Sequence, residues 1–271
     1  MKITLVQMNT QNDKAANIAQ ARELIARAAE EEGPDLIVLP ECFDMLGTVK
    51  ERLSAGEDLP GGPAYEMCRA AAAEFKVNIH AGSLTERVPG EDRVHNTTVA
   101  FDRAGRELAR YRKIHMFDIV TPDGTAYKES AATKPGEEVV TYGLEGVTIG
   151  CSVCYDLRFP ELFHALVRKG AEVIMLPAAF TLMTGKDHWE VLCRARAIET
   201  QTYFAAAAQC LGHPQGNEIR YCYGHSLIVD PWGHVVAKAS DGIGLVSAKI
   251  DPARIAKVRA DIPLADHHVM S

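Results

Sequence analysis

The chain has 271 residues, 47% of them hydrophobic and 24% charged, which is ordinary for a globular protein and enough to bury a sizeable core. A formal net charge of −7, a sequence pI near 5.8 and the lack of any lysine- or arginine-rich run exclude a nucleic-acid-binding field. Seven cysteines, odd in number and scattered from Cys42 to Cys222, do not read as the disulfide framework of a small secreted domain and are expected to be free thiols.

Residues 1–10 carry one lysine and a short apolar run that soon meets polar residues, so neither a signal peptide nor a membrane span is expected. A cytoplasmic protein without a membrane partner follows. In chain order, short and nearly continuous apolar runs at residues 3–8, 36–39, 147–153 and 173–176 predict strands buried on both faces. Helical patterns fall between or after them at residues 14–31, 63–75, 160–169 and 186–201, the last placing Trp189, Leu192, Cys193 and Ile198 on one stripe. Such alternation predicts an α/β fold. Residues 87–138 mix strand-like and loop-like pieces, but no stretch is biased enough to be a linker, so a single domain over residues 1–271 is expected.

The segment from Gly33-Pro34-Asp35-Leu36-Ile37-Val38-Leu39-Pro40 to Phe43 recurs as Gly170-Ala171-Glu172-Val173-Ile174-Met175-Leu176-Pro177 to Phe180, each time after a strand and a helix. A strand–helix–strand unit used twice predicts two pseudo-symmetric halves whose sheets pack face to face with helices outside. Glu41 and Ala178 then occupy corresponding positions just beyond strand carboxyl ends, where ligands collect in open α/β sheets.

Cys154 follows the strand at 147–153 and precedes a helix that Pro160 is suited to open. That strand-to-helix turn exposes a side chain and aims following backbone N–H groups at the same space, as a nucleophile and its oxyanion require. On residue type alone, a buried apolar thiol is the commoner state of a free cysteine. Cys151 and Cys154 also spell C-x-x-C, but no helix N-terminus lies between the sulfurs and no second such pair exists. His267-His268 are adjacent and diverge if extended, so neither a redox pair nor a metal site is expected. Glu41 ends an apolar, proline-fixed strand where an unpaired carboxylate is costly; a helix cap or a surface glutamate is the alternative. Lys113 ends a strand from about Leu108 and could equally be a solvated lysine.

In combination, Leu39-Pro40-Glu41, Tyr111-Arg112-Lys113-Ile114-His115 and Cys154-Tyr155-Asp156-Leu157-Arg158-Phe159-Pro160-Glu161 resemble the motifs of the nitrilase superfamily, the carbon–nitrogen hydrolases, in the family's order. The resemblance extends over nearly the whole chain. It implies a four-layer αββα sandwich, a Glu–Lys–Cys triad at Glu41, Lys113 and Cys154, and a second glutamate at Glu129. Within the family, residues 156–161, 184–190 and 194–201 look like the deaminated-glutathione amidase branch, with ω-amidases a close second.

The resulting expectation is an amidase that cleaves a primary amide of a small carboxylate-bearing substrate through a thioester on Cys154, releasing ammonia. Glu41 serves as the base, Lys113 and the Tyr155 N–H hold the oxyanion, and Glu129 orients Lys113. Arg158 is the candidate carboxylate clamp, or else it braces the turn against Glu161 or Glu199. A Cys–His arrangement using His115 is disfavoured because no acidic or amide partner is identifiable for it. Alternatives are a nitrilase or aliphatic amidase, or a non-catalytic scaffold, which would be expected to lose part of the triad. No nucleotide motif or metal cluster is evident, so no cofactor is expected. The partners expected are the amide itself and a second copy of the chain, in a homodimer or higher oligomer.

Overall fold

Strands buried on both faces need cover on both sides, and in the computed structural model, which describes residues 1–121, 124–267 and 269, two sheets and two sets of helices provide it. The first half runs β1 (Lys2–Gln7), α1 (Lys14–Arg27), β2 (Leu36–Val38), α2 (Val49–Ala55), α3 (Pro63–Phe75), β3 (Asn78–His80), β4 (Leu84–Arg87), β5 (Val94–Phe101) and β6 (Glu107–Arg112). A two-stranded ribbon, β7 (Asp118–Val120) and β8 (Ala126–Lys128), leads to β9 (Thr141–Leu144) and β10 (Val147–Cys151). The second half continues with α4 (Pro160–Arg168), β11 (Val173–Met175), α5 (Leu182–Thr200) and β12 (Tyr203–Ala206). A second ribbon, β13 (Cys210–Gln215) and β14 (Glu218–Tyr223), precedes β15 (Leu227–Val229), β16 (Val235–Lys238), β17 (Gly244–Lys249), α6 (Pro252–Asp261) and α7 (Leu264–His267).

The repeat appears as two matching cores. β1, β2 and β3 are parallel neighbours, as are β10, β11 and β12, with helices making the crossovers. The first sheet has the order β17-β1-β2-β3-β5-β4 with β6 paired along the other edge of β5; the second is β16-β15-β12-β11-β10-β9. Alternation along each strand then builds the layers. Ile3, Leu5, Leu36 and Val38 point into a core shared with Ile149, Val173 and Met175 of the second sheet, whereas Val6, Met8, Ile37 and Leu39 point the other way, against Ala21, Leu24 and Ile25 of α1 and Cys68 and Ala72 of α3. The fold is an α/β, four-layer αββα sandwich, and the ends of β2, β6 and β10 meet at one edge of it.

Some local expectations need correction. α5 begins at Leu182, one turn before Lys186, and accommodates Gly185 because a Cβ there would sit 2.3 Å from Tyr223 Cβ. Its buried stripe is Trp189, Cys193, Arg196, Ala197 and Thr200, while Ile198 is 48% exposed on another face. Nine residues past Trp189, Ile198 falls on the opposite side of a straight helix. All seven cysteines are free and buried. Among the described residues no helix is long and apolar enough to cross a membrane, and no group of three or more His, Cys, Asp or Glu is placed to hold a metal ion. His268, half of the histidine pair weighed above, lies outside the described residues.

Candidate active site

Three chain breaks in regular structure deliver the polar groups. Pro40 stops β2 and Glu41 follows, 4% exposed, in a turn that passes directly over Gly82. Only a glycine fits there: Gly82 has φ +42°, and a Cβ would lie 2.0 Å from the Pro40 carbonyl oxygen. Lys113 is the first residue past β6, 2% exposed, with its N–H on the Asn96 carbonyl at 2.9 Å. Cys154 lies three residues past β10 at φ +47°, a left-handed conformation that non-glycine residues adopt at a cost. It opens a 3₁₀ turn, Cys154–Arg158, and Pro160 at the first position of α4 ends the excursion.

These residues converge. The Lys113 ammonium donates to Glu41 Oε1 at 3.0 Å and to Glu129 Oε2 at 2.8 Å. Glu41 Oε1 also accepts from Asn96 Nδ2 at 2.8 Å, and its Oε2 from the Ala179 N–H at 2.8 Å. Glu129 Oε2 takes a further bond from the Phe117 N–H at 2.8 Å. The Ala179 donor comes from the second copy of the Leu-Pro repeat, so pseudo-symmetric strand ends complete one site. A buried cation facing two buried carboxylates resolves the desolvation cost that each would carry alone.

The electrostatics follow from burial and charge. Burial pushes the Cys154 thiol well above its ordinary pKa, Glu41 pushes it further, and Lys113 opposes both. The resting sulfur is therefore a neutral thiol. Burial disfavours the Lys113 ammonium, but Glu129 and Glu41 outweigh it and raise its pKa well above the usual lysine value. Burial works to raise the Glu129 pKa, yet Lys113 first and Arg52 second bring it below the ordinary glutamate value. Lys113 is thus an ammonium and Glu129 a carboxylate at neutral pH.

Glu41, Lys113, Glu129, Cys154 and Tyr155 all line one cavity of about 340 Å³, walled by Phe117, Tyr127 and Phe180. Arg158 does not line it. Its guanidinium lies 5.3 Å from the Phe180 ring centre and its Nη2 3.3 Å from His188 Nδ1, rather than on Glu161 or Glu199; Glu199 pairs with Arg196 instead. His115 does have an acidic partner, contrary to expectation: its Nδ1 is 2.7 Å from Asp156 Oδ1, and its ring stacks on Phe159 at 3.7 Å. That partner stands two residues beyond Cys154 in sequence and was hidden because the contact closes only in three dimensions. Asn96, which bridges Glu41 and Glu129, and Arg52 and Arg220, which line the cavity, were also missed. A lone asparagine within a strand and two arginines on separate elements carry no local pattern.

The comparisons with known proteins agree with this geometry. Residues 2–260 match the family model described as carbon-nitrogen hydrolase. A deaminated glutathione amidase of Synechocystis sp. is 40% identical over 97% of this chain and 96% of its own length. The omega-amidase NIT3 of Saccharomyces cerevisiae is 35% identical over 97% and 91%. The crystal structure of Saccharomyces cerevisiae Nit3, described as a member of branch 10 of the nitrilase superfamily, superimposes with a TM-score of 0.87 at 33% identity, covering 97% of this chain and 94% of that one. This chain belongs to the carbon-nitrogen hydrolase family and is an enzyme of that class.

Proposed function

We propose that this protein is an amidase acting on a small carboxylate-bearing amide, with Cys154 as nucleophile, Glu41 as base and Lys113 as oxyanion ligand, working as one domain over residues 1–271. The observation that carries the reading is the Lys113 ammonium clamped between Glu41 and Glu129 in the cavity that Cys154 also lines. Because the resting sulfur is a neutral thiol, attack must be coupled to proton removal. Glu41 takes the thiol proton as the sulfur bonds to the amide carbon, and Lys113 and the Tyr155 N–H stabilise the oxygen that gains charge. As the carbon–nitrogen bond breaks, Glu41 returns the proton to nitrogen, which leaves as ammonia from a primary amide. Water, deprotonated by Glu41, then attacks the thioester, and the thiol is restored. Glu129 keeps Lys113 charged and in place.

Similarity to the deaminated glutathione amidases and omega-amidases supports the acidic amide class. The test is ammonia release across a matched panel: ω-monoamides of dicarboxylic acids, including a 2-oxo acid amide, against neutral aliphatic amides and nitriles. Preference for the acidic amides is expected; preference for neutral amides or nitriles removes the substrate assignment and leaves the thioester chemistry standing. Arg158 is part of this proposal as a carboxylate clamp if its guanidinium leaves His188. Arg158→Lys then raises KM for acidic amides far more than for neutral ones. Equal losses, with a lower melting temperature, make it a brace for Phe180.

A cytoplasmic homodimer completes the proposal. Buried free thiols suit a reducing compartment. For the interface, Trp189 is excluded because it is fully buried, its Nε1 donating to the His225 carbonyl at 2.9 Å. Val191 and Ile198 on α5 and Trp232, in the turn whose Gly233 packs near Ile198, are exposed apolar side chains open to a second copy. Sedimentation of a 29.6 kDa species at micromolar concentration overturns the dimer.

A further inference from the structure

Four cationic side chains, Arg52, Lys113, Lys128 and Arg220, line the cavity against two carboxylates, Glu41 and Glu129, in a chain whose net charge is −7. Lys113 is paired with both carboxylates. The two guanidiniums are not. Arg52, on α2, gives Nη2 to Thr133 Oγ1 at 3.2 Å, and its Nε–H is buried with no acceptor among the described residues. Arg220, on β14, lies with its guanidinium 4.4 Å from the Tyr127 ring centre; its Nη2 is 3.8 Å from the largely exposed Glu218, and its Nε–H is likewise buried without an acceptor. A buried guanidinium donor without a partner is costly, and side-on pairing of an arginine with a carboxylate uses Nε together with an adjacent Nη. Both residues therefore line a cavity that already holds a complete hydrolytic centre while each keeps, just behind that wall, a guanidinium donor with no acceptor.

Resting on the amidase reading above, we infer that Arg52 and Arg220 are specificity-determining residues that accept the carboxylate-bearing end of the substrate, making the cavity selective for anionic over neutral amides. A neutral amide of the same length leaves both Nε–H groups dry and unpaired, which is the penalty that gives such sites their discrimination. Arg52 also lowers the Glu129 pKa, after Lys113, so its loss disturbs the hydrolytic centre as well as binding. Arg220 has no such tie and gives the cleaner test.

The experiment compares glutaramate with pentanamide. For Arg220→Gln, and for Arg52→Lys, which keeps the charge but loses the side-on edge, the ratio of kcat/KM between the two amides is expected to fall at least tenfold, mainly through KM for glutaramate. A ratio within twofold of wild type in both variants overturns the inference. A second readout needs no turnover: glutarate is expected to raise the Tm of Cys154→Ala, and that rise is expected to vanish when Arg220→Gln is added. If wild-type enzyme hydrolyses no amide but the glutarate effect depends on Arg220, the amidase reading fails and the anion wall stands. If amides are hydrolysed and glutarate stabilises with or without Arg220, the wall fails alone. The Tm of each variant without glutarate separates either result from misfolding.

Discussion

The phenolic hydroxyl of Tyr111 donates to Asp156 Oδ2 at 2.6 Å, and that bond ties the strand end carrying Lys113 to the turn carrying Cys154. Asp156 is fully buried and also accepts the Val153 N–H at 2.8 Å and the His115 N–H at 3.2 Å, so it fixes both segments at once. Tyr111→Phe removes one donor and leaves a buried carboxylate oxygen less satisfied. A stability loss of about 1.5–3 kcal/mol in urea melts is expected, with turnover falling as much as about a hundredfold as the two segments separate. Unchanged stability and turnover argue against the tie.

Lys113 holds two buried carboxylates apart, so Lys113→Ala is expected to cost about 3–5 kcal/mol of stability as well as nearly all activity. Adding Glu129→Gln relieves one of the two stranded charges and is expected to recover part of that stability without restoring turnover. Because the polar groups act as a unit, the rate loss in Lys113→Ala/Cys154→Ala is expected to match that of either single variant rather than their product. Multiplying losses indicate separate sites.

Gly82 underlies the position of Glu41. Gly82→Ala drives a Cβ to within 2.0 Å of the Pro40 carbonyl and is expected to cost about 4 kcal/mol or more, with loss of turnover in whatever protein still folds. Gly90→Ala is the control: φ is +75° but the space around it is open, so about 1–2 kcal/mol covers the backbone penalty alone. Similar losses for the two remove the steric argument.

Much of this arrangement was legible in the chain. Apolar runs that ended in Leu-Pro twice gave away the two halves, and Glu41, Lys113 and Cys154 each stood just past the end of a predicted strand, β2, β6 or β10. What could not be read were contacts made by long-range closure. The Ala179 N–H is a backbone donor with no side-chain signal, Asn96 lies within a strand, and Asp156 was visible only as one letter of a motif until Tyr111 and His115 folded onto it. Arg158 illustrates the limit of spacing: four residues from the nucleophile in sequence, it sits outside the cavity lining, while Arg52 and Arg220, 102 and 66 positions away, line it.

Two of the three buried histidines, His80 and His213, make the largest histidine contributions to the pH dependence of stability. Burial holds His80 down at about 3, and burial followed by the nearby Arg220 holds His213 down to about 4, against 6.5 in the unfolded chain. Between pH 6.5 and those folded values the unfolded chain binds protons that the native state refuses, so stability falls as pH falls. From pH 7 to pH 5 each histidine is expected to remove about 2 kcal/mol. Urea melts at the two pH values read the sum, and His80→Asn should show a shallower slope than wild type. Equal slopes place His80 in a solvated environment.

Thioester chemistry on Cys154 is tested most directly by Cys154→Ala, assayed for ammonia release with the best acidic amide from the panel. The thiol is small, so the melting temperature should stay close to wild type while kcat falls by about 10⁴ or more, since the covalent route runs through the Cys154 sulfur. A folded Cys154→Ala enzyme that retains turnover within tenfold of wild type contradicts the mechanism at its centre.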